Sequence, residues 1–371
     1  MARLPSFTAL LLAAALFLPS TTVPAQSTTP PSRQALTIGA VPYAMAVFAN
    51  ADLGQLPSHV VRAVIIVHGV KRNADAYFAL GEDLLQRAQL TPGNTLLLAP
   101  NFMAHKDPGI LPGMPVWGGD AWMQGEASIR GVKGVTSFAA MDDLLRWLAD
   151  PRRFPDLREI VLIGHSAGAQ LMQRHALMSP VPEILQQAGL HLRYVLSSPS
   201  SYLYLSPERP QGAGLAIPAT GACAGYDDYR YGLGQAPDYL ARQHLDARQL
   251  FVRYAGRDVR YLVGGRDVDP AHRYLDRSCA AALQGPTRLA RQLAYLDDEQ
   301  FLAKRWQVQV QHPQQVIPDA AHGASRLYRS PLALAMIFPA LAQNRAGPCQ
   351  ITGSAAAETA QCPQSKPENE K

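Results

Sequence analysis

The stretch that most constrains this chain is Glu159-Ile-Val-Leu-Ile-Gly-His-Ser-Ala-Gly-Ala-Gln170, in which a short apolar run stops at Gly164-His165-Ser166-Ala167-Gly168. Ile160 to Ile163 have the character of a strand buried on both faces, and Ala169 to Met178 that of a helix. The segment therefore predicts strand, sharp turn and helix. So abrupt a reversal holds Ser166 in a strained backbone conformation, and glycines two before and two after it let the neighbouring backbone pass. The serine hydroxyl then stands clear at the carboxyl edge of a sheet. The amide of Ala167, at the start of the helix, points to the same spot and can donate to an oxyanion.

The remainder of the chain has to supply that sheet. With 371 residues and 47% hydrophobic content it can build one large α/β domain. Residues 1–25 read as a signal peptide: Arg3, an apolar core from Ala9 to Leu18, and the small side chains around Val23-Pro24-Ala25 for cleavage. That apolar core is too short for a membrane span, and no later stretch resembles a transmembrane segment. An exported protein, periplasmic or extracellular, is expected. The net charge is +5, yet the basic residues are scattered arginines with few lysines, which argues against a nucleic-acid surface. Cys223, Cys279, Cys349 and Cys362 form an even set, pointing to disulfides in an exported chain, and their spacings fit no zinc pattern.

Taken in order, residues 26–35 are a flexible lead-in, 36–342 the folded domain and 343–371 a loose polar tail. Leu36 to Asn50 supplies early edge strands, and Ala63 to Val67 is a β-branched run of the buried parallel kind. It ends in His68-Gly69-Val70, after which Asn73 is placed to cap a helix from Ala74 to Gln89. Thr95 to Pro100 predicts a strand that opens into a long loop, ordered by Trp117 and Trp122. Thr136 to Leu148 has helical spacing, with Asp142 and Asp143 on a solvated face. Leu192 to Ser197 and Val259 to Val263 predict further strands, and Gln307 to Val310 a last short one. Thr287 to Arg305 and Pro331 to Leu341 predict helices. Residues 202–245, interspersed with Tyr, Gly, Pro and Asp, break the pattern and read as a cap-like insertion over the carboxyl edge. Strands alternating with helices imply a mainly parallel sheet covered on both faces.

A serine hydroxyl is a poor nucleophile at neutral pH and needs a histidine to take its proton and a buried carboxylate to hold that ring. The strand-turn-helix around Ser166 resembles that of α/β-hydrolases, in which the chain order is serine, acid, histidine. Among ten histidines, His322 alone is late, loop-borne, followed by glycine and just ahead of a terminal helix. His165 lies beside the serine and is expected to face away; His175 and His191 come too early. His244 and His272 sit near the insertion and the acid loop, and His312 precedes a proline. For the acid, Asp258 precedes its strand and Asp319 is only three residues before His322. Asp269-Pro270 resembles a helix cap, whose carboxylate would be occupied by backbone amides. Asp267, at the end of Gly264-Gly-Arg-Asp, is the acid left to meet His322. Cys223 in the insertion and Cys279 after the acid loop should both lie over the carboxyl edge, so pairing of Cys223 with Cys279 is expected, and of Cys349 with Cys362 in the tail.

With His68-Gly69 and Arg72-Asn73, Gly164-His-Ser-Ala-Gly168, Gly264-Gly-Arg-Asp267 and Ala321-His322-Gly323 in hand, the chain resembles secreted α/β-hydrolases of the esterase, lipase and polyhydroxyalkanoate-depolymerase type from about Val60 to Pro339. The resemblance implies a carboxylic ester hydrolase acting on a small-molecule or polymeric ester through an acyl-enzyme, with no cofactor. It implies that Ser166 attacks, His322 moves the proton, and the amides of Ala167 and Val70 hold the oxyanion. The Tyr-rich insertion departs from the subfamilies and leaves the substrate open. A peptidase or amidase on the same scaffold, with Asp227 and Asp228 as amine anchors, and a catalytically silent binding protein are the alternatives.

Overall fold

Long buried runs of aliphatic residues build the sheet of the computed structural model, which describes residues 33–57 and 59–339. Its strands are β1 (Arg33–Ile38), β2 (Tyr43–Ala49), β3 (Arg62–Val67), β4 (Thr95–Asn101), β5 (Glu159–His165), β6 (His191–Ser197), β7 (Asp258–Gly264) and β8 (Gln314–Ile317). They lie in the order β1-β2-β4-β3-β5-β6-β7-β8. Strands β3 to β8 run parallel, while β2 is antiparallel to both β1 and β4. The middle of the sheet is its driest part. Every side chain from Ala63 to Val67 and from Ile160 to Ile163 is fully buried, as a strand covered on both faces requires.

Alternate residues of β5 feed two separate cores. Ile160 and Leu162 pack with α2 (Ser137–Leu148) and α3 (Ala167–Met178). Val161 and Ile163 pack with α1 (Ala74–Ala88) on the other face, and with a C-terminal helix, Pro331–Ile337. The period of two along a strand thus does the work of assigning helices to sides. Further on, α4 (Ala247–Ala255) and α5 (Arg288–Trp306) join the first of these cores. Thr136 and Thr287 cap α2 and α5 through side-chain oxygens that accept from Ala139 and Ala290 amides.

Several local expectations are corrected. No strand forms over Gln307 to Val310; Gln307 is the left-handed C-cap of α5, and the last strand is Gln314–Ile317, paired in register with Tyr261 to Gly264. Asn73 occupies the N-cap position of α1 but makes no side-chain cap bond. Asp142 is buried rather than solvated, because the hydroxyls of Ser179 and Tyr239 and the ring of His175 converge on it. Tyr202 and Tyr204, read with the insertion, are buried beside Tyr295 in the core. Of the expected lead-in, residues 33–35 are instead the start of β1, paired antiparallel with β2, whereas the expected leader and C-terminal tail, including Cys349 and Cys362, lie outside the described residues. No described helix is long and apolar enough to cross a membrane.

Candidate active site

Ser166 stands between the end of β5 and the start of α3, with φ +56° and ψ −113°. A non-glycine residue at positive φ is costly, and here the chain has no alternative within so few residues. Both flanking glycines are required by space. A Cβ on Gly164 would come within 2.5 Å of the Gly168 carbonyl oxygen, and one on Gly168 within 2.6 Å of the Val67 carbonyl oxygen. The Ser166 amide donates to the Ser197 carbonyl at 2.9 Å, which ties the turn to β6.

Two loops at the same edge of the sheet bring an acid and a base to this hydroxyl. Asp267 follows β7, and His322 lies between β8 and a short helix, Ala324–Tyr328. Nδ1 of His322 is 2.9 Å from Asp267 Oδ2, and its Nε2 is 3.0 Å from Ser166 Oγ. An ionised carboxylate only accepts, so Nδ1 carries the ring proton and Nε2 is left to accept from the hydroxyl. Burial acts to raise the Asp267 carboxyl, but the hydrogen bond from His322 and the charges of His322 and Arg288 outweigh it and hold it below its ordinary value. Arg288, itself buried, approaches Asp267 Oδ1 at 3.5 Å. Burial is the main influence on His322 as well; with Arg288 behind it, it outweighs Asp267 and holds the imidazole below its ordinary value. A neutral acceptor nitrogen, oriented by a carboxylate and facing a serine hydroxyl, is an arrangement able to take that hydroxyl's proton.

Two of the rival carboxylates are engaged elsewhere. Asp258 begins β7 at the opposite edge and pairs with Arg193 and Arg260. Asp269 accepts from the Ala271 amide at 2.9 Å, as its sequence implies, but in a turn: no helix follows it. Two further histidines flank His322. His165 does not simply face away. It is buried against His322 with ring centres 4.9 Å apart, and its Nδ1 is 2.7 Å from the Tyr77 hydroxyl. His272 meets the other side of His322, also at 4.9 Å. Burial, assisted by the charge of His322, lowers His165 to about 3. His165 ends β5 and His272 lies in the acid loop, and both ring contacts with His322 depend on how segments far apart in the chain fold together.

His68 proves to be an internal strut. Its Nε2 accepts from the Phe102 amide at 3.1 Å, so Nδ1 holds the proton and donates to the Gly69 carbonyl at 2.9 Å. Burial is the chief reason that its pKa falls to about 4. The Gly69 carbonyl belongs to the same peptide as the Val70 amide, so the strut fixes that unit beside the serine. Val70 and Ser166 border two adjoining cavities of about 320 and 430 Å³. The first is walled by Asn73, Tyr77, His165, His272 and His322, the second by Ala167, Gln170 and a stretch from Arg273 to Ser278. Asn73, free of capping duty, therefore faces the site. A further cavity of about 410 Å³ lies where β6 and β7 begin, beside His191 and Asp258, at the sheet edge away from Ser166.

Cys223 and Cys279 are joined as a disulfide, with Cα atoms 5.9 Å apart. It ties the Tyr-rich segment to the short helix Cys279–Ala282 that follows the acid loop. Among the described residues no group of three or more His, Cys, Asp or Glu side chains is arranged to hold a metal ion.

No family model and no curated protein matches the chain. Solved structures do match. Poly(aspartic acid) hydrolase-1 from Sphingomonas sp. KT-1 is 20% identical with a TM-score of 0.58, covering 84% of this chain and 100% of its own. LpqC, a poly(3-hydroxybutyrate) depolymerase from Bordetella parapertussis, has the same identity and TM-score and covers 84% of this chain and 91% of its own. The parallel sheet, the strand-turn-helix at Ser166 and these two likenesses together establish that the chain has the α/β-hydrolase fold.

Proposed function

We propose that this protein is a serine hydrolase that cleaves carboxylic esters through an acyl-enzyme, with Ser166, His322 and Asp267 as its triad. The observation that carries this reading is His322 standing between the serine hydroxyl and a buried carboxylate, at the mouth of a cavity. Ser166 Oγ adds to the ester carbonyl as its proton passes to His322 Nε2. The amides of Ala167 and Val70 receive the oxyanion, Ala167 from the first turn of α3 and Val70 from the peptide that His68 pins. His322 then gives the proton to the departing alcohol as the carbon–oxygen bond breaks. Water enters, loses a proton to His322 and releases the acid, and the proton returns to Ser166. Asp267 keeps the ring in the tautomer that both halves need.

Amide cleavage on the same machinery is the second reading. It is favoured by the resemblance to a protein described as a poly(aspartic acid) hydrolase, whose polymer is joined by amides. The segment around 202–245 acts in this proposal as a cap, since Arg230 reaches the larger cavity and the Tyr229 hydroxyl bonds the Gln124 carbonyl. Export behind the 1–25 leader belongs to the same reading, in keeping with the Cys223–Cys279 bond. So does pairing of Cys349 with Cys362.

The test is covalent labelling by a fluorophosphonate followed by peptide mapping, with a panel of nitrophenyl esters, an aliphatic polyester and amides beside it. Label on Ser166 and ester turnover are expected. An unlabelled serine in folded protein would sink the proposal in favour of a silent binding protein, and amide turnover without ester turnover would shift it to the second reading.

A further inference from the structure

The larger cavity at Ser166 has a charge pattern that the hydrolytic chemistry does not require. Arg230, Arg273 and Arg277 all line it. Arg230 is committed: Asp276 lies at 3.1 Å and the Tyr231 hydroxyl at 2.9 Å. Arg273 and Arg277 are not. Among the described residues no carboxylate comes within 4.0 Å of either, and both side chains are exposed. The Arg273 guanidinium lies over the Tyr274 ring, 4.4 Å from its centre, which orients the group while leaving its N–H edge available.

The ground behind this wall is also positive. Arg174 and Arg291 are buried, and their hydrogen bonds go to neutral oxygens: Met123 carbonyl and Ser201 hydroxyl for one, Gly285 and Ser200 carbonyls for the other. Burial lowers each to about 10, so both remain charged at neutral pH. Arg288 shares Asp267 and donates to the Tyr274 carbonyl at 2.7 Å. Two acidic side chains line the cavity, Asp120 and Asp276, and Asp276 is already engaged by Arg230, Tyr231 and the Ser278 amide. A concave site of this kind concentrates field lines and draws an anion to the place where guanidinium groups have free donors.

We propose that this cavity is a carboxylate subsite, in which Arg273 and Arg277 hold an anionic group of the substrate while Ser166 acts on an ester a few bonds away. The inference rests on the ester-hydrolase reading and adds the substrate class: esters carrying a free carboxylate on the portion seated beside Ala167.

Matched pairs of esters test it. Monomethyl adipate against dimethyl adipate places the charge on the acyl side, and 6-acetoxyhexanoate against its methyl ester places it on the alcohol side. With the intact protein and acid release followed by pH-stat, one of the two carboxylates should exceed its neutral partner in kcat/KM by about tenfold or more at low salt. The advantage should shrink between about 0.02 and 0.5 M salt, as screening shortens the reach of the charges. Arg273→Gln with Arg277→Gln should bring that ratio down to near one. Arg248→Gln, an exposed change on α4, should keep it. Equal turnover of charged and neutral partners, or a preference that survives the double variant, overturns the subsite and leaves the hydrolase reading standing. No turnover of any of the four esters by folded protein overturns both.

Discussion

Helix α3 has a serine, a histidine and an aspartate at each end, and the two groups are connected in opposite ways. At its amino end the imidazole is the middle member, with Ser166 on one nitrogen and Asp267 on the other, and a cavity in front. At its carboxyl end the carboxylate is the middle member. Asp142 receives His175 at 2.9 Å, the Ser179 hydroxyl at 2.6 Å and the Tyr239 hydroxyl at 2.5 Å, and the second nitrogen of His175 is taken by Tyr194 at 3.0 Å. Ser179 has therefore spent its proton on an acid, whereas Ser166 faces a neutral base. Burial acts to raise Asp142, but the bonds from His175, Ser179 and Tyr239 outweigh it and hold the carboxyl low, so the group is a knot between α2, α3 and the Tyr-rich segment. Residue types alone do not make a nucleophile; the order in which acceptors follow the hydroxyl does.

The widest separation between the two ends should come from the serines. Ser166→Ala and His322→Ala are each expected to reduce turnover on the order of 10⁶-fold if chemistry limits the rate, with the fold retained. Ser179→Ala should lower the melting temperature and leave kcat close to that of the parent. Comparable catalytic losses at 166 and 179 would erase the distinction.

The acids come next. Asp267→Asn should cost up to roughly 10⁴-fold in kcat, because an amide favours the wrong imidazole tautomer. Asp142→Asn should appear instead in urea unfolding, at about 1–3 kcal/mol for donors left without an acceptor, with little change in kcat. A pH profile sharpens the same contrast. His322 lies below its ordinary value of 6.5, so kcat/KM should rise with pH through a midpoint under 6.5 as the base loses its proton. A midpoint above 7 would mean that Asp267 governs the ring more strongly than its burial does. Smallest of all, Asp269→Asn should be nearly silent, since asparagine can accept from the Ala271 amide as well as aspartate does. A large loss there would transfer the acid role from Asp267.

The amino end of α3 could be read from sequence because each of its parts is announced by local chemistry. Buried strands show as β-branched runs, the turn shows as paired glycines, and Asp267 and His322 sit at strand ends whose order is set by the fold. The Cys223–Cys279 bond followed from the same reasoning. The carboxyl end could not be read so, since Asp142 has the spacing of a solvated helix position and is buried by partners 33 to 97 residues away, His175, Ser179 and Tyr239. His272 and His165 were missed at the site for a related reason: ring contacts with His322 are made by the tertiary fold. The last strand, Gln314–Ile317, was displaced because it is a short edge strand with partly exposed glutamines, whose register comes from pairing with β7. Val308 and Val310, which suggested a strand, are instead partly buried contacts after α5.

The backbone at Ser166 bears on how such a protein would drift if its chemistry were no longer needed. With φ at +56° and ψ at −113°, position 166 is one that glycine enters with little penalty and serine does not, a difference on the order of 1–3 kcal/mol. Folding alone would therefore favour glycine, and Ser166→Gly should unfold at higher denaturant than the parent. If the hydroxyl is what the protein uses, a change to glycine would gain stability at the cost of that chemistry, so the two demands on position 166 pull in opposite directions.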